Sequence, residues 1–464
     1  MNFIKKKTFE SVRETGAASG LSKTLGAFDL ILFGLGGIIG TGVFVLTGLV
    51  AAKYSGPAVM LSYIIAGSTC IFVALAYTEL AAMLPTSGSV YTYSYVAFGE
   101  VFAWLMGSVI ILELGVASST VASAWSGYVQ GRLAAIDIYL PTFLAKVPSE
   151  GGFVNLPAFL IVAFVGGILY LGTKDSKKLN AILVFIKMAA IFAFMWSAAP
   201  HYDAKNWENF MPFGLNNVIV GSSILFFAFT GFGTIAAAAE ECRNPKRDIT
   251  IGIIGSLIIS TIIYVIVGGL ATGIVPYTEL NSTQPLAHAL TLNNSNLGSA
   301  IVATGAIFGM TTVIMMNIYG ISRIFYVIAR DGLLPKTLAK LHPKFDSPYI
   351  TIAIFTFLIA LLGAVCPFEI LSQLSSMGAL IDYMVVVLIV LLFRIKLPEA
   401  NRPFRCPAVF VVAPIAFIAS TYLLFKQILD VNYELLFTGK VIIYWFSVTL
   451  ILYIIRAMVL KKQS

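Results

Sequence analysis

Charge is scarce in this 464-residue chain, with Asp, Glu, Lys and Arg together making up 11% of it, about half the share found in an ordinary soluble domain. A water-soluble enzyme is excluded on that ground. Histidine is rarer still: His201, His288 and His342 are the only three, each expected in a loop between apolar runs, so no Ser-His-Asp set or metal cluster can assemble inside those runs. The four cysteines, Cys70, Cys242, Cys366 and Cys406, show no CxxC or paired spacing, which argues against a disulfide framework and a zinc site. The opening MNFIKKKTFESVRETGAAS has no apolar stretch ahead of a small-residue cleavage site, so no cleaved signal is expected and the first span directs insertion. Gly36-x-x-x-Gly40-x-Gly42 lacks the lysine of a phosphate loop and follows no strand, which rejects nucleotide binding. No cofactor is implied.

What is abundant is apolar surface. At 58% hydrophobic, roughly 269 residues suffice for about a dozen bilayer spans of ~20 residues each, with little left for a soluble domain. Apolar runs predict helices near 27 to 52, 57 to 83, 100 to 131, 155 to 173, 179 to 199, 216 to 239, 250 to 275, 297 to 329, 349 to 366, 369 to 393, 407 to 428 and 437 to 460. The net charge of +8 is carried between these runs, so it sets topology and does not suggest nucleic acid. With the N-terminus placed in the cytoplasm, 23 of the 30 Lys and Arg residues fall on or near that side, six on the other and one, Lys187, within a span. That asymmetry satisfies the positive-inside rule, and lipids are the surrounding partner.

Two spans are interrupted by glycine near their middles. The first carries Gly34-Leu-Gly36-Gly37-Ile-Ile-Gly40-Thr41-Gly42 and the sixth Phe229-Thr230-Gly231-Phe232-Gly233-Thr234. Glycine costs about 1 kcal/mol per helical position relative to alanine, and an unwound turn facing lipid would strand backbone groups at several kcal/mol each. Such turns survive facing a cavity or ligand; the competing explanation is close helix packing through small residues. Because the two spans are five apart and five is odd, the second set of five starts from the opposite membrane face, as an inverted repeat requires.

Half-helix N-termini suit a carboxylate, and the preceding C-termini, with their carbonyls, suit an ammonium group. An α-amino acid carries both. Ile38, Ile39, Gly40, Thr41 and Gly42, with Ala228, Phe229, Gly231, Phe232 and Gly233, are therefore the residues expected around a zwitterion, covered by Phe227, Phe229 and Phe232. Three charges lie within spans: Glu113, Lys187 and Asp382. Each costs about 3 kcal/mol or more at the bilayer centre and so needs a partner or a wet cavity. Lys187 lies nine residues past Lys178, roughly 13 Å deep at 1.5 Å per residue. A low-dielectric site penalises the charged form of a lysine, making Lys187 the candidate proton carrier; a structural lysine bonding first-span carbonyls is the other reading. Glu113 is open between meeting a substrate cation and being itself protonated. Asp29, Glu79, Glu240 and Glu241 fall near span ends, where water exposure or pairing with loops is expected.

The segments GAFDLILFGLGGIIGTGVFVLTG, PTSGSVYTYSY, LELGVASS, AEECRNPKRDITIGII and SRIFYVIARDGLLP together resemble the amino acid, polyamine and organocation (APC) transporter superfamily, and within it bacterial homologues of the cationic amino acid transporters. The resemblance covers essentially the whole chain. It implies an all-α polytopic membrane protein of LeuT-type five-plus-five fold with two additional C-terminal helices, twelve transmembrane helices in all. The corresponding division is a cytoplasmic tail over 1–26, a first repeat over 27–199, an inverted repeat over 200–393 and two further helices with a short tail over 394–464. It also implies proton-coupled import of amino acids across the bacterial cytoplasmic membrane, with both termini cytoplasmic. Gly40, Thr41 and Gly42 match the family's carboxylate site, Lys187 the lysine that replaces a sodium site, and Glu113 the acid of the third helix. One position departs: where the family commonly has an acid after Gly-Phe in the sixth helix, this chain has Gly233. A cationic substrate loses a counter-ion there, so neutral amino acids are expected to be preferred. The alternative readings are an amino acid or polyamine exchanger and an ion channel, the latter without a visible ring of like charges or filter loop.

Overall fold

A computed structural model describes residues 6–12, 23–429 and 435–463. Much of the expected tail over 1–26, Lys5 included, lies outside the described residues. Among the described residues the chain is helical, with two isolated bridges, Leu25 to Cys242 and Leu429 to Leu435, and no strand. Nine helical stretches among the described residues are long and apolar enough to cross a membrane, and Leu156–Tyr170 and Tyr349–Val365 are shorter apolar helices. The first stretch, Ala27–Met83, folds back on itself at Gly56, whose φ of +59° is left-handed and whose missing Cβ leaves room for Pro212.

In chain order the principal helices are α1 (Ala27–Ile38), α2 (Val59–Met83), α3 (Ser89–Ala97), α4 (Glu100–Ile110), α5 (Ala117–Ala134), α6 (Leu156–Tyr170), α7 (Thr173–Ala198) and α8 (Gly214–Leu225). They continue with α9 (Gly233–Ala237), α10 (Pro245–Ile274), α11 (Pro285–Leu292), α12 (Asn296–Arg330), α13 (Tyr349–Val365), α14 (Phe368–Lys396), α15 (Val409–Ile428) and α16 (Phe437–Gln463). A π-helical turn, Ile111–Val116, joins α4 to α5 without a break in direction.

The packing partners exchange between the two halves. Helix α10 packs along α1 as α2 packs along α8, and α7 packs on α12 as α14 packs on the turn Ile111–Val116 and on α5. The pairs α2 with α10, α6 with α13 and α5 with α12 each join one half to the other. Glycines set some of these approaches: a Cβ on Gly34 would collide with Ser256 of α10, and one on Gly252 would lie 2.7 Å from Leu30 Cβ.

Several local expectations differ from the structure. Helix α3, Ser89–Ala97, is buried along its whole length, although its Ser, Thr and Tyr residues gave no apolar run. It is held by tertiary contacts, with the Tyr91 hydroxyl donating to Asp331 (3.0 Å) and the Ser89 hydroxyl bonded to that of Tyr77. His288 lies inside α11 and not in a loop, because Pro285 starts a short helix there. Helix α7 begins at Thr173, earlier than the apolar run near 179, since its first turns are polar and need no apolar surroundings. Glu79, Glu240 and Glu241 are buried in ion pairs with arginine and are not water-exposed, and Glu79 meets the other expectation, pairing with a loop through Arg402.

Candidate functional site

Two unwound turns meet at the centre of the helical body. Helix α1 ends at Ile38, Ile39 is extended (φ −78°, ψ 107°), and helical bonding resumes in a π-helical turn, Gly42–Leu46, that runs on to Ser55. The second interruption follows a tight turn, Phe226–Phe229: Thr230 is extended (φ −63°, ψ 156°), Gly231 has φ +105°, and α9 starts at Gly233. The turns touch backbone to backbone, since a Cβ on Gly231 would lie 2.8 Å from Gly37 O and one on Gly42 would overlap Ala228. Gly231 is required twice over, by its positive φ and by this approach. Ile38, Ile39, Gly40, Thr41, Gly42, Phe227, Ala228, Phe229, Phe232 and Gly233 are all buried around this junction.

A broken helix leaves carbonyls without intrahelical donors, and side chains supply them. The Lys187 ammonium donates to Leu35 O (2.7 Å), Ile39 O (2.8 Å) and Gly36 O (3.2 Å), and lies 2.9 Å from Thr312 Oγ1. The Thr312 hydroxyl in turn reaches Gly36 O at 2.9 Å. Tyr264 from α10 bridges the two turns, its hydroxyl 2.8 Å from Ile38 O and 3.0 Å from Ala228 O. The Tyr63 hydroxyl donates to Gly42 O (2.9 Å) and that of Tyr128 to Phe44 O (2.8 Å). Thr41 Oγ1 is buried with no hydrogen-bond partner. Phe229 packs edge-on against Tyr63 and Tyr264, while Phe232 stacks on Tyr383 with ring centroids 4.8 Å apart.

Beside the second turn the surroundings are acidic. Glu113, on the π-helical turn Ile111–Val116, is 3% exposed and its Oε1 has no hydrogen-bond partner. It faces Gly233, where a Cβ would sit 3.6 Å from Glu113 Oε1 and 3.4 Å from the Tyr77 hydroxyl. π-Helical turns are frequent at functional sites because they re-aim side chains.

Toward the basic loops the start of the first span and the end of the sixth are tied together. The N–H groups of Thr24 and Leu25 both donate to Glu241 O (3.0 Å), and Arg243 N–H donates to Leu25 O (2.9 Å). The Glu241 carboxylate accepts from Arg323 (2.9 Å) and Tyr319 (2.7 Å), and Glu240 takes two bonds from Arg330 at 3.1 Å. Glu79 joins α2 to Arg394 and Arg402 and accepts from the backbone N–H of Cys406 (2.8 Å). Burial and this carboxylate push the Cys406 thiol up to about 11.

The sequence-predicted residues thus come together, and Lys187 joins them through carbonyls of α1. Tyr63, Tyr264, Thr312, Tyr77 and Tyr383 were not expected at the site. For the four tyrosines the signal was a phenol within an apolar run, which must find a partner for its hydroxyl, whereas tyrosines that anchor a span gather at its two interfaces; Thr312 carried no such signal.

The amino acid permease family profile matches residues 25–455. The chain is 40% identical over 427 residues to a branched-chain amino acid permease of Bacillus subtilis (strain 168), covering 91% of this chain and 92% of the relative. It is 38% identical over 413 residues to a methylthioribose transporter of the same organism (89% and 90%). A third relative, cationic amino acid transporter 4 of Mus musculus, is 33% identical over 412 residues (87% and 65%).

Proposed function

The chain belongs to the amino acid permease family of the APC superfamily, and from that premise we propose that it imports neutral amino acids together with protons by alternating access. It is a multi-pass membrane transporter and not an enzyme. Our reading of its architecture is twelve transmembrane helices, with 27–199 and 200–393 as inverted repeats and 394–464 adding two helices. The exchange of packing partners between the halves supports it. The asymmetry of Lys and Arg supports a cytoplasmic-membrane location with the basic loops inside.

The observation that carries the proposal is the pair of unwound turns in backbone contact, bridged by Tyr264. A substrate carboxylate would meet the N–H groups at Gly40, Thr41 and Gly42 together with the unpartnered Thr41 hydroxyl. The ammonium group would meet carbonyls of the turn Phe226–Phe229. Proton coupling is assigned to Lys187: loss of its proton removes one of the three N–H donors and the positive charge that hold the carbonyls of Leu35, Gly36 and Ile39, so its protonation state and the hold on α1 are linked. Gly233 offers no counter-ion for a second cation, and a branched-chain permease is among the relatives, which together favour neutral aliphatic substrates. Purified protein in liposomes, loaded to give an inward proton gradient, tests this with radiolabelled leucine. Uptake should rise with the gradient; uptake driven by sodium and indifferent to pH would overturn the coupling.

A further inference from the structure

Lys187 and Asp382 hold the same place in the two halves. Lys187 is the fifteenth residue of α7, counted from Thr173, and Asp382 the fifteenth of α14, counted from Phe368. Helices α7 and α14 also make the exchanged contacts, α7 on α12 and α14 on the turn that carries Glu113. The contact on that turn is close: a Cβ on Gly378 would lie 2.7 Å from Glu113 N, and the Ser375 hydroxyl donates to Glu113 O at 3.2 Å. One helical turn beyond Gly378 on the same face stands Asp382, fully buried.

The two places differ in how they are satisfied. Lys187 has four oxygen neighbours within 3.2 Å. Both Asp382 oxygens and Glu113 Oε1 have no hydrogen-bond partner, and no ion pair among the described residues involves either side chain. The titratable groups facing them are Tyr77 of α2, Tyr93 of α3 and Tyr383 of α14, with Cys70 of α2 behind Tyr383. The hydroxyls of Tyr93 and Tyr383 are themselves buried without a partner. Phenols and a thiol supply no positive charge. Two carboxylates facing one another in a low-dielectric interior repel, and the repulsion is relieved when a single proton lies between them in a short charge-assisted bond. A proton needs no ligands beyond the two carboxylates, whereas a metal cation would need several further oxygens around it.

We propose that Glu113 and Asp382 bind one exchangeable proton between them, a second protonation site that the repeat pairs with Lys187 and that counts in the transport cycle. The proton is taken up by one carboxylate, forming a carboxyl whose O–H bonds the other, and is released to water when the site opens. This rests on the proton-coupled reading above. At zero membrane potential each proton carried per leucine adds about a tenfold accumulation for every pH unit of gradient, so two protons support about a hundredfold.

The test combines leucine accumulation in liposomes with infrared spectra of the purified protein, for the wild type, Asp382→Asn and Glu113→Gln. The wild type should show a protonated-carboxyl band that vanishes as pH rises, and both variants should lose it. Asp382→Asn should also accumulate leucine about tenfold less per pH unit. A wild type without the band, a band that persists in Asp382→Asn, or unchanged accumulation by that variant would overturn the proposal. So would a band abolished by sodium chloride at constant pH, which would put a metal cation in the proton's place. If neither variant folds, the wild type decides by its band and by whether accumulation follows two protons or one. Leucine accumulation by the wild type that ignores the pH gradient would fault the coupling reading itself, whereas failure confined to the variants would fault only the pair.

Discussion

At the first unwound turn the carbonyls left over by the broken helix are met by the protein itself, through the Lys187 ammonium, the Thr312 hydroxyl and the Tyr264 phenol. At the second turn the carbonyls of Phe227, Ala228 and Gly231 take the hydroxyls of Thr230, Tyr264 and Thr234, while Glu113 beside it has one oxygen, and Asp382 two, without a hydrogen-bond partner. Glycine opens both turns, but the first is closed by a cation belonging to the chain, whereas the second is closed by hydroxyls and lies beside carboxylate oxygens that no group of the chain hydrogen-bonds. Breaking a helix inside a membrane is therefore only half of making a site. The groups that finish each break decide whether it is a structural joint or a place where ions exchange.

The comparison is broken most completely by filling the contact between the turns. Gly231→Leu forces a branched residue to φ +105° and places its Cβ 2.8 Å from Gly37 O, while Gly42→Leu drives into Ala228. Both variants should lose leucine uptake while still inserting into the membrane, as followed by membrane fractionation and liposome assay. Normal uptake by both would mean that the substrate does not touch these turns. Next in size, Lys187→Ala takes the ammonium from Leu35, Gly36 and Ile39; Leu35 O keeps the Ile39 N–H and Gly36 O the Thr312 hydroxyl, so the cost is that of about one buried group left unpaired, roughly 1–3 kcal/mol. Uptake driven by a pH gradient should disappear, and the midpoint of thermal unfolding should fall.

Away from the turns, Glu241 and Arg323 are each 1% exposed in their side chains. Arg323→Met leaves the Glu241 carboxylate buried without its counter-charge, which costs about 3–5 kcal/mol. Unfolding followed by tryptophan fluorescence should begin at markedly lower temperature, and adding Glu241→Gln should restore most of the loss. No recovery in the double variant would show that the arginine acts through packing and not through charge.

How far the comparison could be drawn from sequence alone depends on the kind of contact. The apolar runs and the two glycine clusters were legible because lipid tolerates so few alternatives to an unbroken helix. Lys187 was legible from its depth. The double use of glycine was not: Gly34 lets α10 approach, whereas Gly231 opens a turn, and both look the same along the chain. Nor was Asp382 legible as a neighbour of Glu113, because the two are joined only by the packing of α14 at Gly378. Helix α3 was missed for a related reason, since its polar residues are buried by partners distant in sequence, such as Asp331.

The smallest effect expected is at Gly233, and it sharpens the comparison without destroying either turn. A Cβ there meets the Tyr77 hydroxyl at 3.4 Å and Glu113 Oε1 at 3.6 Å, ordinary contact distances, so Gly233→Ala should leave leucine uptake nearly unchanged. An unpaired second cation in the wild-type site would cost several kcal/mol, and arginine and lysine should therefore inhibit leucine uptake less than alanine, serine or phenylalanine do. Gly233→Asp has its Cβ at the same ordinary distances and adds a carboxylate next to Glu113, whose repulsion is relieved by a substrate that brings its own positive charge. That variant should gain inhibition by arginine and lysine, by about tenfold if roughly 1.4 kcal/mol of the new attraction is realised. If arginine and lysine already compete best in the wild type, the unpartnered carboxyls of Glu113 and Asp382 are serving the substrate side chain, and the second turn is completed by the cargo and not by a proton.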